Sequence, residues 1–162
     1  MMPSTRTLNL YLFLVATCMI LVALYMQYQM NLNPCYLCIV QRVFVILTGL
    51  IALLAVIHNP GNKGQKRYAA ATCISALAGA AFSIRQLWLQ SLPEEKVPAC
   101  GPPADYLFDA FPIAEALPML LSGDGNCAEV QWTFLSFSIP AWTLLAFTAM
   151  VLLSSYQLLR KR

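Results

Sequence analysis

The sequence predicts an all-α membrane protein: a four-transmembrane-helix bundle with a long external loop that carries a short, surface-lying helical segment. The composition supports this fold class, because 59% of the 162 residues are hydrophobic and only 10% are charged. An average soluble domain has about 25% charged residues, so the chain has too few polar side chains to cover a water-facing globule. It also contains four apolar runs of the length needed to cross a bilayer, which is about 20 residues. We expect a single integral membrane domain over residues 1–162.

The four predicted spans are bounded by charges or by residues that break helices. They cover roughly residues 8–28, 39–57, 68–89 and 132–156. Asn-x-Asn-Pro at 31–34 follows the first span, and His-Asn-Pro-Gly at 58–61 follows the second. The first run is longer than the apolar core of a signal peptide, which has about 7–15 residues. We therefore expect the first run to be retained as a span.

Basic residues predict the orientation of the chain. Three of them lie between residues 63 and 67 and three at 160–162, whereas the long third loop has only Lys96. Basic residues accumulate in cytoplasmic loops, so both termini and the second loop are predicted to be cytoplasmic. The loops at about 29–38 and 90–131 are then external. All seven acidic residues lie between 94 and 129, and the absence of a basic stripe interleaved with aromatic residues disfavours nucleic-acid binding.

One part of the third loop is unusually apolar. The segment YLFDAFPIAEALPMLL, residues 106–121, is apolar enough to lie along the membrane surface. Pro112 and Pro118 are expected to divide it into short pieces, because proline interrupts a helix.

The predicted orientation divides the six cysteines into two groups. Cys18 and Cys73 fall within spans, where cysteine behaves as a small hydrophobic residue and is expected to be inert. The other four lie on the external side, where an even number of thiols favours disulfides. These four are Cys35, Cys38, Cys100 and Cys127.

Cys35 and Cys38 have the spacing of a redox-active pair. If the second helix begins near Pro34, its free amides and positive dipole end stabilise a thiolate there. A static disulfide is one alternative, although so short a loop removes little chain entropy and would stabilise the fold weakly. Half of a metal site is another, although tetrahedral zinc needs a second ligand pair and the single histidine, His58, is predicted to lie on the other side.

Cys100 and Cys127 share the long external loop, and their role is left open by the local sequence. A structural bridge between them could contribute about 3 to 4 kcal/mol by loop closure. Against a purely structural role, both occur in flexible settings, Pro-Ala-Cys-Gly-Pro-Pro and Gly-Asp-Gly-Asn-Cys.

Arg42 follows Cys38 by one helical turn and is predicted to lie on the same face. A charged residue in a membrane segment indicates a function. The alternative is an arginine whose side chain extends to the headgroups, which is the interpretation we favour for Arg85.

Taken together, these residues resemble the DsbB family, the bacterial inner-membrane disulfide bond formation proteins. The resemblance covers essentially the whole chain. It rests on the four spans, on PCYLCIVQR at residues 34–42, on Cys100 in the long loop, and on GNCAEVQWTFL from Gly125, with IPAW following at 139–142. The resemblance implies a quinone-dependent thiol oxidase of the bacterial inner membrane, with its redox cysteines on the periplasmic side. Such proteins reoxidise a soluble thioredoxin-fold oxidase of the DsbA type and pass the electrons to a membrane quinone, here expected to be ubiquinone, without a metal.

The resemblance also implies a role for each site residue. Cys100–Cys127 would be the disulfide that accepts electrons from the partner, and Cys35–Cys38 the disulfide that is reduced next. Cys38 would face the quinone, and Arg42 would stabilise the charge that develops there. Some relatives have a histidine near the outer end of the third span, but RQLWLQS at 85–91 has none, so protonation of the quinone by histidine is not expected here.

Three other functions are weighed against this one. The first is a DsbB-like relative dedicated to one secreted client. The second is a metal-handling membrane protein, which the single histidine disfavours. The third is a non-catalytic scaffold with structural disulfides, which the Cys-x-x-Cys pair beside Arg42 disfavours.

Overall fold

The structure is a computed structural model that describes residues 4–103, 106–107 and 111–160. Four long helices dominate it, and each is long and apolar enough to cross a membrane. A shorter helix and a small antiparallel hairpin lie between the third and fourth of them. The elements are α1 (Thr5–Tyr28), α2 (Tyr36–His58), α3 (Asn62–Gln90), α4 (Ile113–Ser122), β1 (Thr133–Phe134), β2 (Phe137–Ser138) and α5 (Ile139–Leu159), with 3₁₀ turns at Glu94–Lys96 and Gly125–Cys127. The predicted all-α fold with four candidate spans and a short intervening helix is confirmed.

The helix ends follow local capping chemistry. The Ser4 side chain accepts a hydrogen bond from the Thr7 amide at 3.1 Å and caps α1, as serine commonly does at this position. At the end of α2, Asn59 adopts a left-handed conformation with φ 37°, which asparagine tolerates better than most residues. The helix α3 begins at Asn62 rather than at residue 68, because lysine, arginine and glutamine are good helix formers and extend it beyond the apolar run.

Small residues bring the long helices close together. A methyl group on Gly79 of α3 would lie 2.2 Å from the ring of Phe147 on α5, and one on Gly49 of α2 would lie 2.9 Å from Ala16 of α1. Such small residues allow close approach where helices pack inside a membrane. Accordingly α3 packs mainly on α5, and α2 packs on both α1 and α3, while α1 and α5 meet only narrowly. The narrow meeting of α1 and α5 leaves an opening along that side of the bundle.

The start of the fourth predicted span is wrong. Residues 133–138 form the hairpin, with Thr133 opposite Ser138 and Phe134 opposite Phe137. Its turn residues, Leu135 and Ser136, have φ of 51° and 67°, values outside the helical region. The aromatic residues of this segment make it apolar enough to be mistaken for part of a span. The helix itself begins at Ile139 and has a proline in its first turn, where proline is well tolerated.

The helix α4 lies in the segment that Pro112 and Pro118 are expected to divide. Pro112 immediately precedes α4, as expected, but the prediction for Pro118 is wrong because α4 continues through it. Proline removes one helical hydrogen bond, and burial of Ala116 and Leu120 in the core beside α2 offsets that loss. The opposite face of α4 exposes Ile113 and Leu117. Residues 108–110 of the predicted surface segment lie outside the described residues.

Candidate functional site

The site lies at the end of the bundle where α2 begins and α3 ends, which we call the cysteine end. A buried apolar cluster there joins the first turns of α2 to the last turn of α3, to α4 and to the loop that precedes β1. Its members are Cys35, Tyr36, Leu37, Val40, Leu89, Leu107, Ala116, Leu120 and Cys127. The long loop is therefore packed onto the start of α2.

Cys35 and Cys38 occupy the beginning of α2. Cys35 is the residue at the N-terminal cap, and its carbonyl accepts the Ile39 amide at 3.1 Å. The turn places the two Sγ atoms 2.7 Å apart. Both are free thiols in this structure, as are the four other cysteines. The pairing of the cysteines in the oxidised protein therefore stays a prediction.

Cys127 is fully buried against Cys35. Its sulfur accepts a hydrogen bond from the Cys35 thiol, which is the main reason why the pKa of Cys127 lies below its ordinary value. The same hydrogen bond, followed by that to Cys38 and by burial, raises the pKa of Cys35. Cys35 therefore holds its proton more firmly than Cys127 does.

Hydrogen bonds to the Asp124 carboxylate connect the Cys100 segment to the Cys127 segment. Its Oδ2 accepts the Gly101 amide at 2.9 Å and the Asn126 side-chain amide at 2.6 Å. Its Oδ1 accepts a weaker hydrogen bond from Cys127 Sγ at 3.3 Å. The carboxylate is itself buried, and hydrogen bonds of this kind offset the cost of burying its charge.

Cys100 itself is exposed, but its segment is fixed on both sides. The Gly125 amide donates to the Ala99 carbonyl at 3.3 Å, and the Tyr36 hydroxyl donates to the Pro102 carbonyl at 2.5 Å. A methyl group on Gly125 would lie 2.9 Å from Cys100 Sγ. Cys100 therefore lies at the surface and is close to the segment that carries Cys127.

A buried glutamine touches both sulfurs of the Cys-x-x-Cys pair. Gln86 of α3 donates from Nε2 to Cys35 Sγ and to Cys38 Sγ, each at 3.3 Å. Its Oε1 accepts a hydrogen bond from Gln41 Nε2 at 2.7 Å. Both glutamines are almost entirely buried.

Arg42 lies one turn beyond Cys38, as its position in the sequence predicts, and is fixed by α1. Its Nη1 donates to Gln27 Oε1, and its Nη2 donates to the Ala23 carbonyl at 3.1 Å. Two contacts on a neighbouring helix hold the guanidinium in one place. Because the side chain is partly buried, its charge is screened less than that of a surface arginine.

A cavity of about 490 Å³ opens beside Cys38 and Arg42. Its volume lies within the range of small-molecule sites. Its walls come from α1, α2, α5 and the hairpin, and they are mostly apolar, with Met26, Trp132, Phe134 and Trp142 among the lining residues. The cavity exists because α1 and α5 barely meet. The residues present fit an apolar ring compound with polar oxygens, since Arg42 and Gln41 are among the few polar groups in a mostly apolar wall.

The two remaining cysteines and Arg85 have different settings. Cys18 lies on the wall of the cavity, which its position in a predicted span did not indicate. Cys73 lies elsewhere, with its Sγ 3.6 Å from Ser155 Oγ. Arg85 stacks over the ring of Trp88, with 4.7 Å between the guanidinium carbon and the ring centroid, and also donates to the Ser122 carbonyl at 3.4 Å. Among the described residues, no group of three or more His, Cys, Asp or Glu side chains could hold a metal ion.

Four polar residues at the site were not singled out by the sequence: Gln27, Gln41, Gln86 and Asp124. An uncharged glutamine in an apolar span is a polar group that must find a partner, and this signal could have identified Gln41 and Gln86 as candidates. Their partners depend on helix packing, which the sequence does not specify.

Comparison with known proteins gives one consistent result. Residues 5–157 match the family model for the disulfide bond formation protein DsbB. Disulfide bond formation protein B of Saccharophagus degradans is 51% identical over 99% of this chain and 96% of its own length. The protein of the same name from Stutzerimonas stutzeri is 46% identical, and disulfide bond formation protein B 1 of Pseudomonas aeruginosa is 41% identical, each over 99% of this chain and 98% of its own length. The chain, with its four apolar helices and its Cys-x-x-Cys pair, therefore belongs to the DsbB family of membrane thiol oxidoreductases.

Proposed function

We propose that this protein reoxidises a soluble DsbA-type dithiol oxidase and passes the electrons to a membrane quinone. Disulfide formation in secreted proteins would then continue as long as quinone is available. One observation carries the proposal: Cys38 lines a large apolar cavity beside Arg42, while its partner Cys35 contacts Cys127. Cys38 is thus open to a lipid-soluble acceptor in the cavity. Cys35 is connected through Cys127 to the loop that carries the exposed Cys100.

The first half-reaction begins at the loop. In the oxidised protein, a thiolate of the reduced partner attacks one sulfur of the Cys100–Cys127 disulfide and forms a mixed disulfide. The exposed position of Cys100 supports attack there, which releases Cys127 as a thiolate. The second partner thiol then resolves the mixed disulfide. The partner leaves oxidised, and Cys100 and Cys127 hold two electrons and two protons.

Electrons then move inward by a second exchange. The contact between Cys127 and Cys35 supports attack of the Cys127 thiolate on Cys35 of the Cys35–Cys38 disulfide. The S–S bond breaks, and Cys38 leaves as a thiolate beside the cavity. Attack of Cys100 on Cys127 regenerates the loop disulfide and leaves Cys35 and Cys38 reduced. No electron is gained or lost in this exchange.

In the second half-reaction, Cys35 and Cys38 would give up two electrons and two protons and form their disulfide again, and a bound quinone would supply the oxidising power and leave as a quinol. The residues of the chain prepare this transfer. Arg42 provides a fixed positive charge beside the position where negative charge develops, which stabilises it most strongly in a site that excludes water. Gln27 and the Ala23 carbonyl hold the guanidinium in that position, and Trp132 and Phe134 also line the cavity.

The same proposal places the protein in the bacterial inner membrane. The cysteine end would face the periplasm, and both termini and the connection between α2 and α3 would be cytoplasmic. The distribution of charge supports this orientation, because three basic residues lie between positions 63 and 67 at the opposite end of α2. Basic residues favour the cytoplasmic side.

A reconstituted assay tests the function. Purified protein in detergent is mixed with a reduced DsbA-type protein and a short-chain ubiquinone analogue, and the absorbance of the quinone is followed. We expect quinone loss and partner oxidation in a one-to-one ratio over many turnovers. A Cys73→Ala variant, altered away from the site, should match the unmodified protein, whereas Cys38→Ala should be inactive. Partner oxidation without loss of quinone would contradict the proposal.

A further inference from the structure

The buried side chains of Gln41 and Gln86 form a hydrogen-bonded pair beside the Cys-x-x-Cys sulfurs. We propose that the Gln86 amide stabilises the reduced state of Cys35 and Cys38 and so raises the reduction potential of that disulfide, and that Gln41 orients Gln86 for this role. The inference rests on the proposed function, because it assigns a task to residues of the same site. It adds a group that touches the reacting sulfurs and a second group that acts through it.

The contacts of Gln86 are specific. Its Nε2 lies 3.3 Å from both sulfurs, and amide N–H groups are good donors to a sulfur that carries negative charge. The side chain is 3% exposed, so water does not compete for these hydrogen bonds. An unpaired amide would be costly at such a position. The placement of this amide between two sulfurs is therefore a specific feature of the packing of α3 on α2.

Gln41 determines which end of the Gln86 amide faces the sulfurs. A glutamine side chain can present either its carbonyl or its NH₂ group to a neighbour. Here the Gln41 NH₂ group donates to Gln86 Oε1 at 2.7 Å, whereas the Cys38 thiol reaches the same oxygen only at 3.7 Å. The Gln86 carbonyl is therefore bound mainly by Gln41, and its NH₂ group lies closer to both sulfurs, at 3.3 Å. Gln41 is thus a positioning residue, and Gln86 is the group that contacts the reacting atoms.

The hydrogen bonds from Gln86 favour the reduced pair over the disulfide. Reduction of the disulfide adds two electrons and, with one proton, produces one thiol and one thiolate. The neutral disulfide gains little from an N–H donor, whereas the thiolate gains a charge-assisted hydrogen bond. Buried hydrogen bonds to charge are strengthened by low local polarity. The reduced pair is stabilised relative to the disulfide, so the pair accepts electrons from Cys127 more readily.

The test measures the reduction potential of this disulfide directly. In a background with Cys100→Ala and Cys127→Ala, the protein is equilibrated with mixtures of reduced and oxidised dithiothreitol, and the reduced fraction is trapped by alkylation. We expect Gln86→Met, which preserves volume without a donor, to lower the equilibrium constant for reduction about tenfold, a shift of about 30 mV towards more negative potential. Gln90→Met is the matched control on α3, because Gln90 accepts a hydrogen bond from Ser138 Oγ, and it should leave the potential unchanged.

A double-mutant cycle separates the two roles. Gln41→Met should lower the potential by less than Gln86→Met, because the freed amide of Gln86 can still present either end to the sulfurs. In the presence of Gln86→Met, adding Gln41→Met should have no further effect, since Gln41 acts through Gln86. Thermal unfolding in detergent checks that each variant is folded, and Gln41→Met alone provides the test if Gln86→Met is not.

The outcomes separate this inference from the proposed function. The measurement uses neither quinone nor partner, so absence of quinone reduction would contradict the proposed function and leave the potentials unaffected. A folded Gln86→Met protein with the unmodified potential would overturn the inference. Additive effects of the two substitutions would overturn the positioning role of Gln41.

Discussion

The side chains of Cys35 and Cys127 lie against each other in the buried cluster at the cysteine end. A cysteine at the beginning of a candidate membrane helix is therefore in contact with a cysteine of the loop that follows α3. The contact is buried, because Cys127 is fully enclosed by the cluster at the cysteine end. The same Cys35 sulfur lies 2.7 Å from that of Cys38. One sulfur thus links the loop cysteine to the cysteine that lines the cavity.

The essential cysteines should be those at the cysteine end. Single alanine substitutions of Cys35, Cys38, Cys100 and Cys127 should each abolish quinone-linked oxidation of the partner, because each removes one sulfur of the relay. Cys73→Ala should keep the unmodified rate, since Cys73 contacts Ser155 away from the site. Partner oxidation by purified variants with equal quinone supply measures this. Full activity of any of the four variants would remove that sulfur from the relay.

Cys18 requires its own measurement because it lines the cavity. Its thiol is not part of the proposed relay, so oxidation of the partner without quinone should be unaffected by Cys18→Ala. Removing one polarisable side chain from the wall should change the KM for quinone by about fivefold, which corresponds to about 1 kcal/mol, the lower end of the range of about 1–3 kcal/mol for a small change in an apolar pocket. Loss of the quinone-free reaction in the folded variant would assign Cys18 a redox role.

The reactivity of Cys127 should depend on pH in a way that reflects its neighbour. In the reduced protein the hydrogen bond from Cys35 lowers the Cys127 pKa, so its alkylation rate should reach half of its maximum below the ordinary thiol value of about 8.5. Above its pKa the group is thiolate and reactive, and below it the group is protonated. Cys35→Ala removes the donor and should shift the midpoint upward. Mass spectrometry of the alkylated Cys127 peptide checks this, and an unchanged midpoint would exclude the hydrogen bond as its cause.

Gly125 should be sensitive to a single added methyl group. Its Cβ position lies 2.5 Å from the Pro98 carbonyl oxygen and 2.9 Å from Cys100 Sγ, so Gly125→Ala must displace the Cys100 segment. Overpacking of this kind costs about 1–3 kcal/mol, and we expect slower oxidation of the partner in a quinone-free reaction. Gly61→Ala is the control, because among the described residues no heavy atom other than those of its chain neighbours lies within 4 Å of its Cβ position. Equal rates for the two variants would show that the close approach is unimportant.

Several parts of this arrangement follow from the sequence. Apolar runs and helix-breaking residues predict the four long helices, and the spacing of Cys38 and Arg42 predicts their shared position at one end of α2. The contact between Cys35 and Cys127 does not follow from spacing, because it depends on how the loop folds back over α2. The hairpin does not follow from the sequence, because aromatic residues such as Trp132 and Phe134 are apolar whether they span a membrane or lie at its edge.

The glutamines show a second limit of the sequence. Gln41 and Gln86 lie on different helices, so the hydrogen bond between them cannot be read from their positions in the sequence. Which groups pair is decided by the packing of α2 on α3, and that packing is determined jointly by many small and apolar contacts. Asp124 is similar, since its three hydrogen-bond donors come from a turn and a loop segment without regular structure.

The orientation of the chain is checked by labelling. Single cysteines introduced at Lys63 and Lys66, in a background with Cys18→Ala and Cys73→Ala, should be protected from an impermeant thiol reagent added to intact spheroplasts. The exposed Cys100, after mild reduction, should be labelled in the same cells and serves as the positive control. Labelling at positions 63 and 66 without permeabilisation would reverse the orientation and remove the periplasmic partner from the account.

The central claim, that electrons leave from Cys38 into the cavity beside Arg42, is tested most directly by comparing two half-reactions of Arg42→Gln. Oxidation of one equivalent of reduced partner without quinone should proceed at close to the unmodified rate, because the substitution leaves the Cys100 loop unchanged. The quinone-linked kcat/KM should fall about 10- to 100-fold, since one well-placed donor contributes roughly 10²–10³-fold in an enclosed site and partial exposure reduces that effect. Arg85→Gln, the same substitution on α3, should affect neither reaction. A loss confined to the quinone-linked reaction supports the account, and an equal loss in both reactions would contradict it.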